Sequence, residues 1–112
     1  LTVAEYHGCG YCAAAHSASG NMVGLTEDQI HEARRGGSDD PKAESLLRFV
    51  HRVLDSKGHV EDADLDAVRS AGYSDAAVAE VVAHISLNVL TNFFNSVAET
   101  EIDFPQVKVL AS

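Results

Sequence analysis

Positive charge is scarce in this chain, which carries 8 Lys and Arg against 17 Asp and Glu for a formal net charge of −9. Nucleic acid and anionic membrane would repel such a protein, and Arg34-Arg35, the longest basic run, does not offset the balance. No apolar run approaches the ~20 residues that cross a bilayer and no charged-then-apolar leader opens the chain, so no membrane partner is expected and a cytoplasmic location is the default. No segment alternates with period two and no Asn-Gly or Asp-Gly turn joins two segments, which argues against β-strands. Internal repeats and low-complexity linkers are lacking, and 112 residues suit one domain with one core.

The punctuation that is present belongs to helices. Gly8 interrupts a short first segment, and a second helix carries Cys12 to about Ser19 before Gly20-Asn21 and Gly24. Thr26 to Gln29 has capping-box spacing, opening a short helix that ends at Gly36-Gly37. Asp40-Pro41 sets a capping side chain before a proline at the first helical position, and Leu46, Leu47, Val50, Val53 and Leu54 then recur at helical spacing until Gly58. Glu61-Asp62 leads a further short helix stopped by Gly72, and Ser74 caps the longest one, running to roughly Thr100. The tail from Ile102 to Ser112 reads as irregular. An all-α single-domain bundle of about five to six helices is expected, and Leu1 to Tyr6 reads as the end of something already under way, so a segment upstream of the 1–112 domain is expected as well.

Both cysteines lie in Cys9-Gly10-Tyr11-Cys12-Ala13-Ala14-Ala15-His16. Two thiols three residues apart can close a reversible disulfide on one helical turn, and a histidine at i+4 lies over the second. A free thiol of pKa about 8.5 is only a few per cent thiolate at neutral pH, so a nucleophilic cysteine needs its pKa lowered. The break at Gly8 puts the pair on the first turn of a helix, where unpaired N–H groups and the helix dipole favour negative sulfur, and His16, if protonated, adds charge beside Cys12. Cys12 is therefore assigned as the attacking thiol that becomes sulfenic acid, with Cys9 supplying a proton and then closing the disulfide. Three other readings compete: a structural disulfide, which would close almost no loop; a zinc site on Cys9, Cys12 and His16, which lacks a fourth ligand; and two inert buried thiols.

The spacing Cys-X-X-Cys-X-X-X-His, with Glu80 to Asn88, Asn92 to Asn95 and Glu101-Ile102-Asp103-Phe104-Pro105 further on, resembles the alkylhydroperoxidase D-like, peroxidase-related branch of the carboxymuconolactone decarboxylase family. The resemblance implies an all-helical homotrimer or hexamer that reduces peroxides through Cys12 as sulfenic-acid intermediate, Cys9 as its proton donor and His16 in a proton relay. An external dithiol, thioredoxin-like or lipoyl-bearing, would restore the thiols. No haem, flavin or metal cofactor is required. Two departures stand out. The well-known branch has histidine where this chain has Tyr11, and its relay glutamate sits twelve residues before the first cysteine, a position that falls before Leu1.

Other residues are candidates for the missing relay. Glu5 would share a face with Cys9, Cys12 and His16 on a continuous helix, although Gly8 interrupts that continuity. The longest helix carries a polar stripe of Glu80, His84, Asn88 and Asn95, in which Glu80 and His84 stand one turn apart as a catalytic acid–base pair or, alternatively, as a solvated stripe. His7, His31, His51 and His59 read as surface residues. The leading function is a thiol-dependent peroxidase; a disulfide reductase or redox relay, lactone decarboxylase chemistry, and a non-enzymatic oligomeric module are the alternatives.

Overall fold

The computed structural model describes residues 1–108 and 110, and among these it contains six helices and no strand. They are α1 (Thr2–Tyr6), α2 (Gly10–Met22), α3 (Glu27–Arg35), α4 (Pro41–Ser56), α5 (Asp62–Ser70) and α6 (Asp75–Val97). Most begin where a capping side chain stands. Thr26 and Gln29 close a reciprocal capping box on α3, Asp40 caps α4 ahead of its N1 proline, and Ser74 caps α6. At α5 the box is acidic, formed by Glu61 and Asp64.

One expected boundary is wrong. Gly20 and Asn21 do not stop α2, which continues to Met22. Gly20 is buried inside the helix, where an added Cβ would lie 3.2 Å from Ile30 Cγ1 of α3. The glycine there allows two helices to approach closely rather than ending one.

The five-residue α1 sits at the centre of the bundle, in contact with α2, α3, α4 and α6. Isolated, a helix this short would not persist in water. Its buried side is divided between two apolar clusters: Ala4 packs with Cys9, Cys12 and Ala13, while Val3 packs with Val50 of α4 and Ile85 of α6. Two polar contacts reinforce it. Thr2 Oγ1 donates to the Ala33 carbonyl of α3 at 2.6 Å, and the wholly buried Asn92 of α6 donates through Nδ2 to the Val3 carbonyl at 3.1 Å.

Helix α6 corrects a second expectation. Its 23 residues have a mean hydropathy of 1.4 over the most apolar window, long and apolar enough by length and composition to cross a membrane. The scattered His84, Ser86, Asn88, Thr91 and Asn92 disguise this in the sequence, since no unbroken apolar run forms. Only Ile85 and Asn92 of this helix are buried, and Leu87, Leu90, Phe93, Phe94 and Val97 are exposed. The single chain therefore leaves an apolar side of α6 uncovered. A helix that a soluble assembly buries between its subunits has the same composition.

Gly36 ends α3 in the left-handed region at φ 84°, and a Cβ there would run into the His51 imidazole of α4. Gly58 has nearly the same φ, 88°, with nothing within 4 Å of an added Cβ. Both Ala variants carry the left-handed penalty of about 1–2 kcal/mol, and only Gly36→Ala must also displace a packed ring. Urea unfolding of the two variants should show the larger loss at Gly36; equal losses would mean that the α3–α4 contact is not tight.

Candidate redox site

The site starts from a break in the chain. Gly8, at φ 66°, turns the backbone between α1 and α2 and leaves Cys9 as the N-cap of α2. Cys9 Sγ accepts the Cys12 backbone N–H at 3.2 Å, so the first cysteine caps the helix on which the second lies. The two are joined as a disulfide with a Cα–Cα separation of 5.3 Å, inside the usual span of about 4.4–6.8 Å. Both are almost fully buried, at 2% and 4% exposure. Cys12 occupies the third helical position, within reach of the positive end of α2.

A residue of α6 completes the surroundings of Cys12. Asn95 Nδ2 donates toward Cys12 Sγ at 3.4 Å. Asn95 belongs to the polar stripe expected from the sequence, but its contact with sulfur could not be read there.

His16 lies one turn after Cys12 as expected, with Asn88 of α6 beside its imidazole. Asn88 donates its own amide N–H to the His84 carbonyl at 2.7 Å. Although His16 is exposed overall, crowding by neighbouring atoms lowers its pKa, and the polar side chain of Asn88 beside it opposes this. The ring is thus neutral at pH 7, a proton acceptor rather than the positive charge that would favour a thiolate.

Glu5 does not continue onto the helix of the cysteines. Its Oε2 pairs with Arg34 of α3, Nε at 2.9 Å and Nη2 at 2.8 Å, and its Oε1 accepts the Leu110 backbone N–H at 2.7 Å. Arg34 Nη2 also donates to the Lys108 carbonyl. The pair lines a cavity of about 10 Å³ together with Cys9, Gly10 and Val107, so Glu5 borders the site by another route than helical spacing.

Glu80 and His84 stand 3.6 Å apart as their spacing suggests, with side chains 74% and 67% exposed. Glu80 precedes Asn95 by fifteen residues, about 22 Å along the axis of α6. The structure brings the two together on the outer surface and does not bring them to the sulfur atoms of the same chain. His7 and His51 are half-buried rather than surface residues. The His7 ring meets Phe93 and Tyr6 edge-on at centroid distances of 5.0 and 5.1 Å, and its Nδ1 lies 3.3 Å from Asn92 Nδ2. Asn92 entered the sequence reading only within the Asn92 to Asn95 run, with no role of its own. The available signal was an amide within an apolar helix, one turn from both Asn88 and Asn95.

Residues 1–52 match the family model described as the Carboxymuconolactone decarboxylase family. The match covers a little under half of the chain, and it is this first part that is similar to the family. It spans α1 to α3 and most of α4, and so includes Cys9, Cys12, His16, Glu5 and Arg34. No protein of curated function matches the sequence. Asn95 and the C-terminal tail lie beyond the matched segment. Among the described residues, no group of three or more His, Cys, Asp and Glu is placed to hold a metal ion.

Because the folded chain lowers the His16 pKa, the unfolded chain takes up its proton first as pH falls below about 6.5. Stability is then fully present above that value and declines as pH drops toward the folded pKa. Proton NMR titration of the imidazole should place His16 below the free value and His16→Gln should flatten this decline; a midpoint at or above the free value would contradict the assignment.

Proposed function

We propose that this chain is a thiol-dependent peroxidase of the alkylhydroperoxidase D-like kind. The observation that carries the proposal is the Cys9–Cys12 disulfide at the start of α2, with Asn95 donating toward Cys12. This is the oxidised product that such a cycle leaves behind.

In the reduced protein, the Cys12 thiolate attacks one oxygen of a hydroperoxide. The S–O bond forms as the O–O bond breaks, and the departing alkoxide takes the proton of the Cys9 thiol to leave as alcohol. Cys9 then attacks the sulfenic sulfur, the S–S bond closes, and hydroxide leaves as water after accepting a proton. Two thiols are oxidised and one peroxide is reduced to alcohol and water. An external dithiol, of the thioredoxin-like or lipoyl-bearing type, returns two electrons and two protons. No haem, flavin or metal takes part.

Dipoles hold the negative sulfur in this scheme. The N-terminal N–H groups of α2 and the Asn95 amide both point positive ends at Cys12, and a donor to a charged acceptor contributes about 1.5–3 kcal/mol. Neutral His16 serves as the proton acceptor one turn away. Assembly as a homotrimer or hexamer and a cytoplasmic location belong to the same proposal; the exposed apolar side of α6 supports the assembly.

Cys12→Ser should abolish turnover of an alkyl hydroperoxide, and Cys9→Ser should allow one oxidation that stops at a sulfenic acid trappable by dimedone. Turnover surviving Cys12→Ser would point instead to the lactone chemistry for which the family is named. Asn95→Ala should raise the Cys12 thiol pKa by about one unit, read from thiolate absorbance against pH. An unchanged titration would remove Asn95 from the site.

A further inference from the structure

Cys9 follows an exposed glycine and begins a helix, a place where a side chain normally meets water, yet it is 2% exposed. Its cover comes from the far end of the chain. Val107 packs on the cluster of Ala4, Cys9, Cys12 and Ala13, Phe104 meets Tyr11 edge-on at 5.8 Å, and Ile102 Cδ1 lies 3.5 Å from where a Cβ on Gly10 would stand. Residues 101–108 contain no helix or strand, so no hydrogen-bond ladder holds this segment over the sulfur atoms. It is fastened at its end, where the Leu110 N–H and the Lys108 carbonyl bind the two halves of the Glu5–Arg34 pair.

The space left under this cover is about 10 Å³, near the volume that one water-sized probe needs. A dithiol attacking the disulfide must bring its sulfur into line with the S–S bond, with its carbon chain behind it. From this geometry we infer that the C-terminal segment determines which reductants reach the Cys9–Cys12 pair. Fastened, it admits only reactants of a few atoms, and a small flexible dithiol needs a smaller displacement of it than a folded protein does. A protein dithiol reaches the sulfur only when Val107 and Phe104 have swung away. The attacking thiolate then forms a mixed disulfide with one cysteine and releases the other as thiolate; the second thiol of the reductant displaces the first cysteine, leaving the reductant oxidised and both cysteines reduced. The inference rests on the redox reading of the cysteine pair and is independent of peroxide as its oxidant.

The test uses the oxidised full chain and no peroxide. Reduction rates are measured with dithiothreitol and with reduced thioredoxin in the unaltered protein, in Val107→Asp and in Phe104→Ala, the last changing only a half-buried ring in an irregular segment. Half-burial of a valine side chain corresponds to about tenfold in an opening equilibrium, so Val107→Asp should speed reduction by thioredoxin by about tenfold. Dithiothreitol should gain much less, and Phe104→Ala should move both rates in the same sense. Thioredoxin rates unaltered in both variants, or equal acceleration with both reductants in both variants, would overturn the role of the segment as a size filter. A disulfide that dithiothreitol fails to reduce in any variant would sink the redox reading on which the inference rests, whereas a reducible pair that is inert to peroxide would sink only the proposed activity.

Discussion

The site depends on one buried ion pair, Glu5 with Arg34, whose side chains are 12% and 7% exposed. Removing either partner from such a pair costs about 3–5 kcal/mol, because the charge left behind is out of water and unmatched. Here the pair also links three pieces of chain: a helix too short to stand alone, the last turn of α3 and the final described residues. Glu5 fixes α1, and four residues later the chain reaches Cys9. The position of the cysteine pair is therefore inherited from a salt bridge that does not touch sulfur.

Around the cysteines, the charge balance is set by oriented dipoles. The start of α2 and the Asn95 amide supply positive ends, and His16, one turn after Cys12, is neutral. Dipoles fixed by backbone and packing are screened by salt far less than a mobile surface charge. The chain has a net charge of −9, which would act against any thiolate relying on distant cations. Local N–H groups avoid that difficulty.

The parts legible in the sequence were those governed by local chemistry. The Thr26 box, the Asp40-Pro41 start and the Ser74 cap each mark a helix because their hydrogen bonds lie within four residues. Placement of the cysteines on the first turn of α2 followed from Gly8 in the same way. Gly20 was misread because a glycine that ends a helix and one that lets two helices touch have the same letter and differ only in a partner, Ile30, ten residues away. The contacts of Asn95 with Cys12, of Asn92 with Val3 and of Leu110 with Glu5 join residues more than eighty positions apart. No spacing rule encodes those, and the same holds for the course of an irregular tail. In α6 the amides face the core at Asn92 and the sulfur at Asn95 while hydrophobic side chains face outward, a division that composition alone does not encode.

The cap of α2 has a consequence of its own. Cys9 is both the acceptor that starts the helix and a member of the pair that exchanges electrons. A sulfur that gains charge accepts a hydrogen bond more strongly than a neutral one. Helix order and oxidation state are thus thermodynamically linked: a change that frays the first turn of α2, even at a residue such as Gly10 that has no redox chemistry, alters the affinity of the protein for electrons, and an electron pair delivered to the sulfur atoms alters in turn how firmly the helix begins.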